Sequence, residues 1–197
     1  MKEDTRAQVD PAVFCQDFSL QAFTQDSLAS SLQLRGQVAR SAANLLCISY
    51  ALQGNLAALL LPEQTAQPMR KDLLWQHTCF EFFLAPVGTP RYWEINLSPS
   101  GDWNVYAFAD YRAGMQEEPA LAVLPFTIEQ RPASLLLELT FPLESIISPG
   151  QPLDLGISAV LQDRNGQRSF WALTHHNRMQ PDFHWRDSFS LSVPASR

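Results

Sequence analysis

Two neighbouring segments alternate apolar and polar side chains, and each contains a carboxylate inside an aromatic run. They are residues 79–84 (CFEFFL) and residues 92–97 (YWEINL). Successive side chains of a β-strand point to opposite faces of the sheet, so this alternation predicts two half-polar strands. A buried charge is costly unless it is paired or hydrogen-bonded. The polar face is therefore the first place to look for a ligand.

The alternation sorts the residues of both segments into two sets. One face is apolar, and carries Phe80, Phe82, Leu84, Trp93, Ile95 and Leu97. The other face carries His77, Cys79, Glu81, Phe83, Tyr92, Glu94 and Asn96. If the strands are neighbours, the second face collects carboxylates, an amide, an imidazole and rings. Such a surface suits a polar ligand such as a sugar.

Composition limits the class of protein. The chain has 197 residues, of which 46% are hydrophobic and 17% charged, which predicts one domain with a substantial core. We expect a flexible tail over residues 1–12 and a single domain over 13–197. A net charge of −6 without a basic patch disfavours a nucleic-acid partner. Because the chain has no apolar run of about 18 residues, we expect no membrane span.

The N-terminus and the cysteines indicate the compartment. The first six residues are polar and no apolar segment follows them, so we expect no signal peptide. The cysteines Cys15, Cys47 and Cys79 are odd in number and widely spaced, which is typical of free thiols in a reducing compartment. These features predict a cytoplasmic protein.

Short apolar runs separated by turn residues predict an all-β, antiparallel sandwich or barrel. The 14 prolines break most helical windows. Residues 163–166 predict a hairpin with a primed turn, and residues 142–146 predict one helical turn. The predicted strands are 13–23, 31–39, 43–53, 56–61, 79–85, 91–97, 103–109, 122–130, 134–141, 153–162, 168–174 and 187–193.

The chain resembles the bacterial DOMON-like proteins, which are related to the sandwiches of carbohydrate-binding module family 9. The resemblance rests on residues 74–83, 92–103, 170–173 and 181–184, and extends over roughly residues 15–193. It implies a single-domain, jelly-roll-like β-sandwich with a ligand on one face or rim. The wider superfamily binds either sugars or haem.

Sugar-binding relatives clamp a glycan between aromatic rings and hydrogen-bond its hydroxyls with polar side chains. The resemblance therefore implies clamping rings at Trp75 and Trp171. The polar side chains of the predicted ligand-binding site are His77, Glu81, Glu94, Asn96, Arg112, His175 and His184. We expect no catalytic residue, no metal site and no cofactor. The leading hypothesis is a non-catalytic module for a carbohydrate or a similar polar small molecule.

Other interpretations of the same residues stay open at this stage. A haem module would use Met69 with one of the late histidines, His175, His176 or His184. A sugar-acting enzyme would use Glu81 and Glu94 as an acid–base pair, which requires a separation of about 5–9 Å. A structural or protein-interaction domain would instead show an exposed apolar patch or sheet edge. Trp75 could also be a core residue, and residues 174–187 either cover the ligand face or connect two strands.

Overall fold

Two antiparallel β-sheets make up most of the fold. The computed structural model describes residues 12–177 and 179–196. The five-stranded sheet has the order β1-β3-β4-β10-β9, and the eight-stranded sheet has the order β2-β12-β11-β5-β6-β7-β8, with β13 also paired to β11. The strands are β1 (Ala12–Ser19), β2 (Gln21–Ala22), β3 (Leu32–Ser41), β4 (Leu45–Gly54), β5 (Cys79–Pro86), β6 (Tyr92–Leu97), β7 (Trp103–Phe108), β8 (Gln116–Glu117), β9 (Phe126–Arg131), β10 (Ser134–Pro142), β11 (Leu153–Gln162), β12 (Arg168–Ala172) and β13 (Leu191–Val193).

Helical structure is confined to short turns in the described residues. The α-helix α1 spans Ser27–Ser30, and its first turn is capped by the Asp26 carboxylate, which accepts from the backbone N–H of Ala29. The 3₁₀ turns span Leu56–Ala58, Leu74–Gln76, Leu143–Ser145 and Arg186–Ser188. None of the described helices is long and apolar enough to cross a membrane.

The core lies between the two sheets and confirms the predicted alternation. Phe82 of β5 packs edge-to-face on Phe141 of β10, with ring centroids 6.1 Å apart. Phe80 lies 5.2 Å from the ring of Tyr50 of β4, whose hydroxyl donates to the backbone carbonyl of Glu81 at 2.7 Å. All strand pairs are antiparallel, so the predicted all-β sandwich is confirmed.

Several local predictions differ from the structure. The predicted strand 56–61 is wrong: its first residues form a 3₁₀ turn, and Leu60 N–H donates to the carbonyl of Gln162 at the end of β11. The strands predicted at 122–130 and 187–193 are shorter in the structure, where they form β9 (Phe126–Arg131) and β13 (Leu191–Val193). The predicted helical turn at 142–146 is present as the 3₁₀ turn Leu143–Ser145. Of the predicted tail at residues 1–12, residues 1–11 lie outside the described residues, and Ala12 begins β1.

The hairpin between β11 and β12 is present, but its turn is not of the primed type. A type I′ turn needs positive φ at both central residues, whereas in this turn only Gly166 has one, at 82°. The Asp163 carboxylate accepts from the backbone N–H groups of Asn165 and Gln167, each at 2.8 Å. This side chain organises a longer turn, in which the Gly166 N–H donates to the Asp163 carbonyl.

One end of the sandwich is closed around a fully buried arginine. The guanidinium of Arg40 donates to Asn44 Oδ1 at 2.6 Å, to the Gln151 carbonyl at 2.7 Å and to the Pro194 carbonyl at 2.8 Å. These bonds join the β3–β4 turn to the segment before β11 and to the segment after β13. Three distant parts of the chain therefore depend on one side chain.

We expect Arg40→Ala to lower the free energy of unfolding by about 3 kcal/mol or more, because several buried acceptors would lose their donor. Arg35→Ala, an exposed arginine on the same strand, is the matched control and should change stability by less than about 0.5 kcal/mol. Urea denaturation measures both. Equal losses in the two variants would contradict the structural role of Arg40.

Candidate ligand-binding site

A cleft of about 290 Å³ lies on the outer face of the eight-stranded sheet. Its floor comes from β5, β6, β7, β11 and β12, and it is flanked by the 3₁₀ turn Leu74–Gln76, by the β7–β8 turn and by residues 181–184. The lining residues are Trp75, Glu81, Phe83, Glu94, Phe108, Arg112, Met115, Val160, Arg168, Phe170, Pro181, Phe183 and His184. Five of the predicted site residues are brought together here: Trp75, Glu81, Glu94, Arg112 and His184.

Two carboxylates form part of the floor. The register pairs Glu81 with Asn96 and Phe83 with Glu94, so the acids are diagonal neighbours on adjacent strands. Glu81 is 2% exposed and Glu94 is 5% exposed. Asn96 Nδ2 donates to Glu94 Oε1 at 2.9 Å, and the Ser158 hydroxyl lies 3.4 Å from Glu81 Oε2. Glu81 Oε1 has no hydrogen-bond partner among the described residues.

Burial of these two acids favours their neutral forms. Burial, and then the charge of Glu94, hold the pKa of Glu81 well above its usual value. Burial likewise raises the pKa of Glu94 to about 7, although the Asn96 hydrogen bond and the Arg112 charge oppose the rise. Because the acids interact, they titrate as a pair. Near neutral pH the pair therefore retains a proton in the folded protein.

His184 is a hydrogen-bond donor to the cleft. The backbone N–H of Arg112 donates to the Tyr92 hydroxyl oxygen at 3.1 Å, so the Tyr92 proton is free to bond His184 Nδ1, which is 2.8 Å away. We assign the remaining ring proton to Nε2, which lies 3.7 Å from Glu94 Oε2. Burial, and then the Arg112 charge, lower the pKa of His184 to about 4. The imidazole is therefore neutral at pH 7, and this contact is not an ion pair.

Aromatic rings surround the polar groups. Trp75 is partly buried and packs edge-to-face on Tyr106, with ring centroids 5.6 Å apart. Phe108 stacks on Tyr92 at 4.7 Å with an interplanar angle of 4°. Phe170 and Phe183 lie 6.2 Å apart. The cleft thus presents apolar ring surfaces beside hydrogen-bonding groups.

An ion pair and a hydrogen bond hold residues 181–184 over the sheet. Arg112 Nη2 lies 2.9 Å from Asp182 Oδ1, and the Tyr111 hydroxyl donates to the other oxygen of the same carboxylate. Arg112 has a φ of 49° and Leu73, two residues before Trp75, has a φ of 61°. Left-handed backbone at non-glycine residues is costly and concentrates at ligand sites. Two of the segments that flank the cleft therefore carry local strain.

The other four predicted site residues do not line the cleft. His77 is exposed and bonds Gln162 Oε1 at 3.1 Å. Asn96 lies under the floor, where it positions Glu94. His175 Nε2 lies 2.8 Å from the carbonyl of Gln21, and its ring contacts Phe23.

Trp171 points into the core, because the alternation of β12 turns its neighbour Phe170 to the cleft instead. The sequence reasoning missed Phe170, Phe108 and Arg168, which the same alternation places on the outer face of β12 and β7. It also missed Met115 and Phe183, which come from turns and carry no comparable signal.

The residues do not fit the alternative interpretation of haem ligation by Met69 and His184. Met69 is 54% exposed and does not line the cleft that contains His184. Its backbone bonds Asp102 and Trp103 at the start of β7. No group of three or more metal-ligating side chains lies together in the part of the chain that the structure describes.

Comparison with known proteins identifies the fold. No protein-family model matches the chain, and no curated protein matches it. Solved structures do match. A candidate carbohydrate-binding protein from Bacteroides uniformis ATCC 8492 superposes with a TM-score of 0.68 at 13% identity, over 87% of this chain and 83% of that chain.

A carbohydrate-binding module of family 9 from Caldicellulosiruptor kristjanssonii, in complex with glucose, superposes with a TM-score of 0.50. The identity is 11%, over 88% of this chain and 80% of that chain. At such identities the likeness shows a shared β-sandwich fold.

The acid pair gives a specific pH dependence of stability. Above pH 6.5 the unfolded chain keeps both glutamates ionised, whereas burial raises the pKa of Glu94 to about 7 and that of Glu81 well above its usual value, so the folded protein holds more protons on the pair. His184 acts in the opposite direction near pH 6.5, because its pKa is lowered to about 4 in the fold and only the unfolded form still carries a proton. Each proton that only the folded protein holds lowers stability by about 1.4 kcal/mol per pH unit as the pH rises. We expect the free energy of unfolding to fall by roughly 1–2 kcal/mol between pH 6.5 and 8, and Glu81→Gln to remove most of that fall. Urea unfolding at several pH values is the measurement, and a flat wild-type profile would refute the assignment.

Proposed function

We propose that the protein is a non-catalytic module that binds a carbohydrate in this cleft. The observation that carries the proposal is the convergence of aromatic rings and hydrogen-bonding side chains in one concave site. Ligand pockets usually enclose about 300–1,000 Å³, so a cleft of about 290 Å³ suits a single sugar residue. The carbohydrate-binding descriptions of the two structural neighbours support the same ligand class, as does the proposed DOMON-like relationship.

The chemistry of the lining explains how a sugar would be held. The apolar face of a pyranose complements the exposed part of the Trp75 ring. Hydroxyl groups would donate to the oxygens of Glu81 and Glu94, and would accept from His184 Nε2–H and from Arg112. The unpartnered Glu81 Oε1 would gain the donor that the protein does not supply.

A ligand screen tests the proposal. A sugar present at about 100 times its dissociation constant stabilises the fold by roughly 2.7 kcal/mol. For a chain of this length, that is a rise of several degrees in melting temperature. We expect such a shift with one class of monosaccharide. The absence of a shift with any mono- or oligosaccharide would contradict the proposal.

Trp75→Ala should then weaken binding of that sugar at least tenfold while leaving the fold intact, because the stacking surface would be lost. Trp185→Ala is the matched control, since Trp185 is exposed and does not line the cleft. Calorimetric titration gives both affinities. Unchanged affinity in Trp75→Ala would refute the stacking role.

A second candidate function is supported by one observation: both acids face the cleft, and among the described residues neither forms an ion pair with a lysine or an arginine. Acid–base enzymes that act on sugars use paired carboxylates, with their pKa values pushed apart. Here burial raises the pKa of both acids, which disfavours the division of roles that such enzymes need. We therefore rank this candidate below the binding module.

Aryl glycosides distinguish the two candidates. We expect the wild-type protein to release no more nitrophenol from a panel of p-nitrophenyl glycosides than the Glu94→Gln variant does. Turnover by the wild type that disappears in both Glu81→Gln and Glu94→Gln would establish the enzyme instead.

We also propose that the protein works in the cytoplasm, without nucleic-acid or membrane partners. The support is the three cysteines, all of which are free thiols, and the acidic net charge of −6. Fractionation of the source cells, with thiol labelling, would test the compartment.

A further inference from the structure

Acidic groups outnumber the free cations inside the cleft. Glu81 and Glu94 are both buried, and His184 is neutral. Arg112, whose positive charge acts on Glu94, is already paired with Asp182. Arg168 is exposed, and its guanidinium lies over the Phe170 ring at 5.8 Å. The acid pair therefore has no dedicated counter-charge within the described residues.

The acceptors of the pair are also incompletely satisfied. Glu81 Oε1 has no partner and Oε2 has a single long contact of 3.4 Å to Ser158. Glu94 Oε2 has only the neutral His184 at 3.7 Å. Buried carboxylate oxygens normally accept several hydrogen bonds when ionised. A ligand that donates here would complete both groups.

A cationic donor would satisfy the pair better than a neutral one. A hydroxyl group offers a hydrogen bond but leaves the two negative charges uncompensated, so the pair must keep a proton. An ammonium group offers three donors and a positive charge, which allows both carboxylates to ionise. The rings around the floor favour a cation as well, because their faces carry negative electrostatic potential.

We propose that the cleft selects an amino sugar, whose ammonium group binds between the carboxylates of Glu81 and Glu94. This inference rests on the proposed carbohydrate-binding function and names the ligand class of the same site. The ring of the sugar would lie against Trp75, and its hydroxyls would reach His184 and Arg112. Arg112 is paired with Asp182, so the positive charge of the ligand is the counter-charge that the acid pair lacks.

The acid pair sets the pH dependence of amino-sugar binding. Besides the acid pair, the titratable and charged groups that face this region are Cys79, Tyr92, Tyr106, Asp72, Glu117, Arg112, Asp182, His184 and Arg168. Burial raises the pKa of Cys79 and Tyr92, so both stay neutral near pH 7. Because the pKa of Glu94 is raised to about 7, the acid pair exchanges a proton between pH 5.5 and 7. Protons compete with the ammonium group, so affinity for an amino sugar should rise with pH over this range, by up to about tenfold per pH unit for each proton that the pair releases.

Calorimetric titration of the intact protein with matched sugars tests the inference. The probes are glucosamine, galactosamine and mannosamine, each with its 2-hydroxy and N-acetyl counterpart, at pH 5.5 and 7.0. We expect one amino sugar to bind at least tenfold more tightly than both counterparts at pH 7.0, with the preference reduced at pH 5.5. Repeating the titration in buffers of different ionisation enthalpy should show proton release on binding.

Substitutions test whether the two acids cause the preference for an amino sugar. Glu81→Gln and Glu94→Gln should each abolish the preference for the amino form, and Glu138→Gln, an exposed acid on the five-stranded sheet, should retain it. Equal or tighter binding of a neutral counterpart would overturn the amino-sugar inference and leave the carbohydrate function standing. Binding of none of the sugars would overturn both. A preference that survives in both glutamine variants, with their melting temperatures near that of the wild type, would also overturn the inference.

Discussion

Side chains of β5 and β6 point alternately into the core and to the outer face of the sheet, and both the core and the cleft depend on this alternation. Phe80 and Phe82 are fixed in the core by Tyr50 and Phe141 of the facing sheet. A slip of one residue would carry Glu81 between the sheets and bring the phenylalanines out. The apolar face therefore holds the two acids in place, although they have few partners of their own.

The cleft is completed by segments that are far apart in the sequence. Residues 181–184 lie over the sheet because Asp182 bonds the β7–β8 turn and His184 bonds Tyr92. That turn depends in part on Arg112, whose left-handed backbone is steadied by its N–H bond to the Tyr92 hydroxyl. Tyr92 thus links a strand, a turn and a covering loop. The lining groups are preorganised by the protein before any ligand arrives.

The sequence predicts a side chain's position correctly where the two-residue period of a strand determines the face it occupies. It does not predict positions that depend on contacts between distant segments. The faces of Glu81 and Glu94 followed from a period of two. The same rule would have selected Phe170, but Trp171 was assigned from the family resemblance and not from the alternation. The strand predicted at 56–61 was lost because Leu60 bonds to β11 instead. Nothing in the local sequence indicated that Arg112 would adopt positive φ or that His184, rather than His175, would reach the acids.

The two buried acids are better explained by binding than by stability. Replacing buried ionisable groups with apolar side chains of similar volume is often neutral or stabilising, so the sandwich has no need of carboxylates at these positions. An acceptor left without a donor costs about 1–3 kcal/mol. A ligand that supplies the missing donor regains that energy, whereas an analogue without one does not. Sites built in this way discriminate strongly against ligands that lack the matching group, so in the proposed site the unpartnered oxygen of Glu81 would contribute to ligand selectivity.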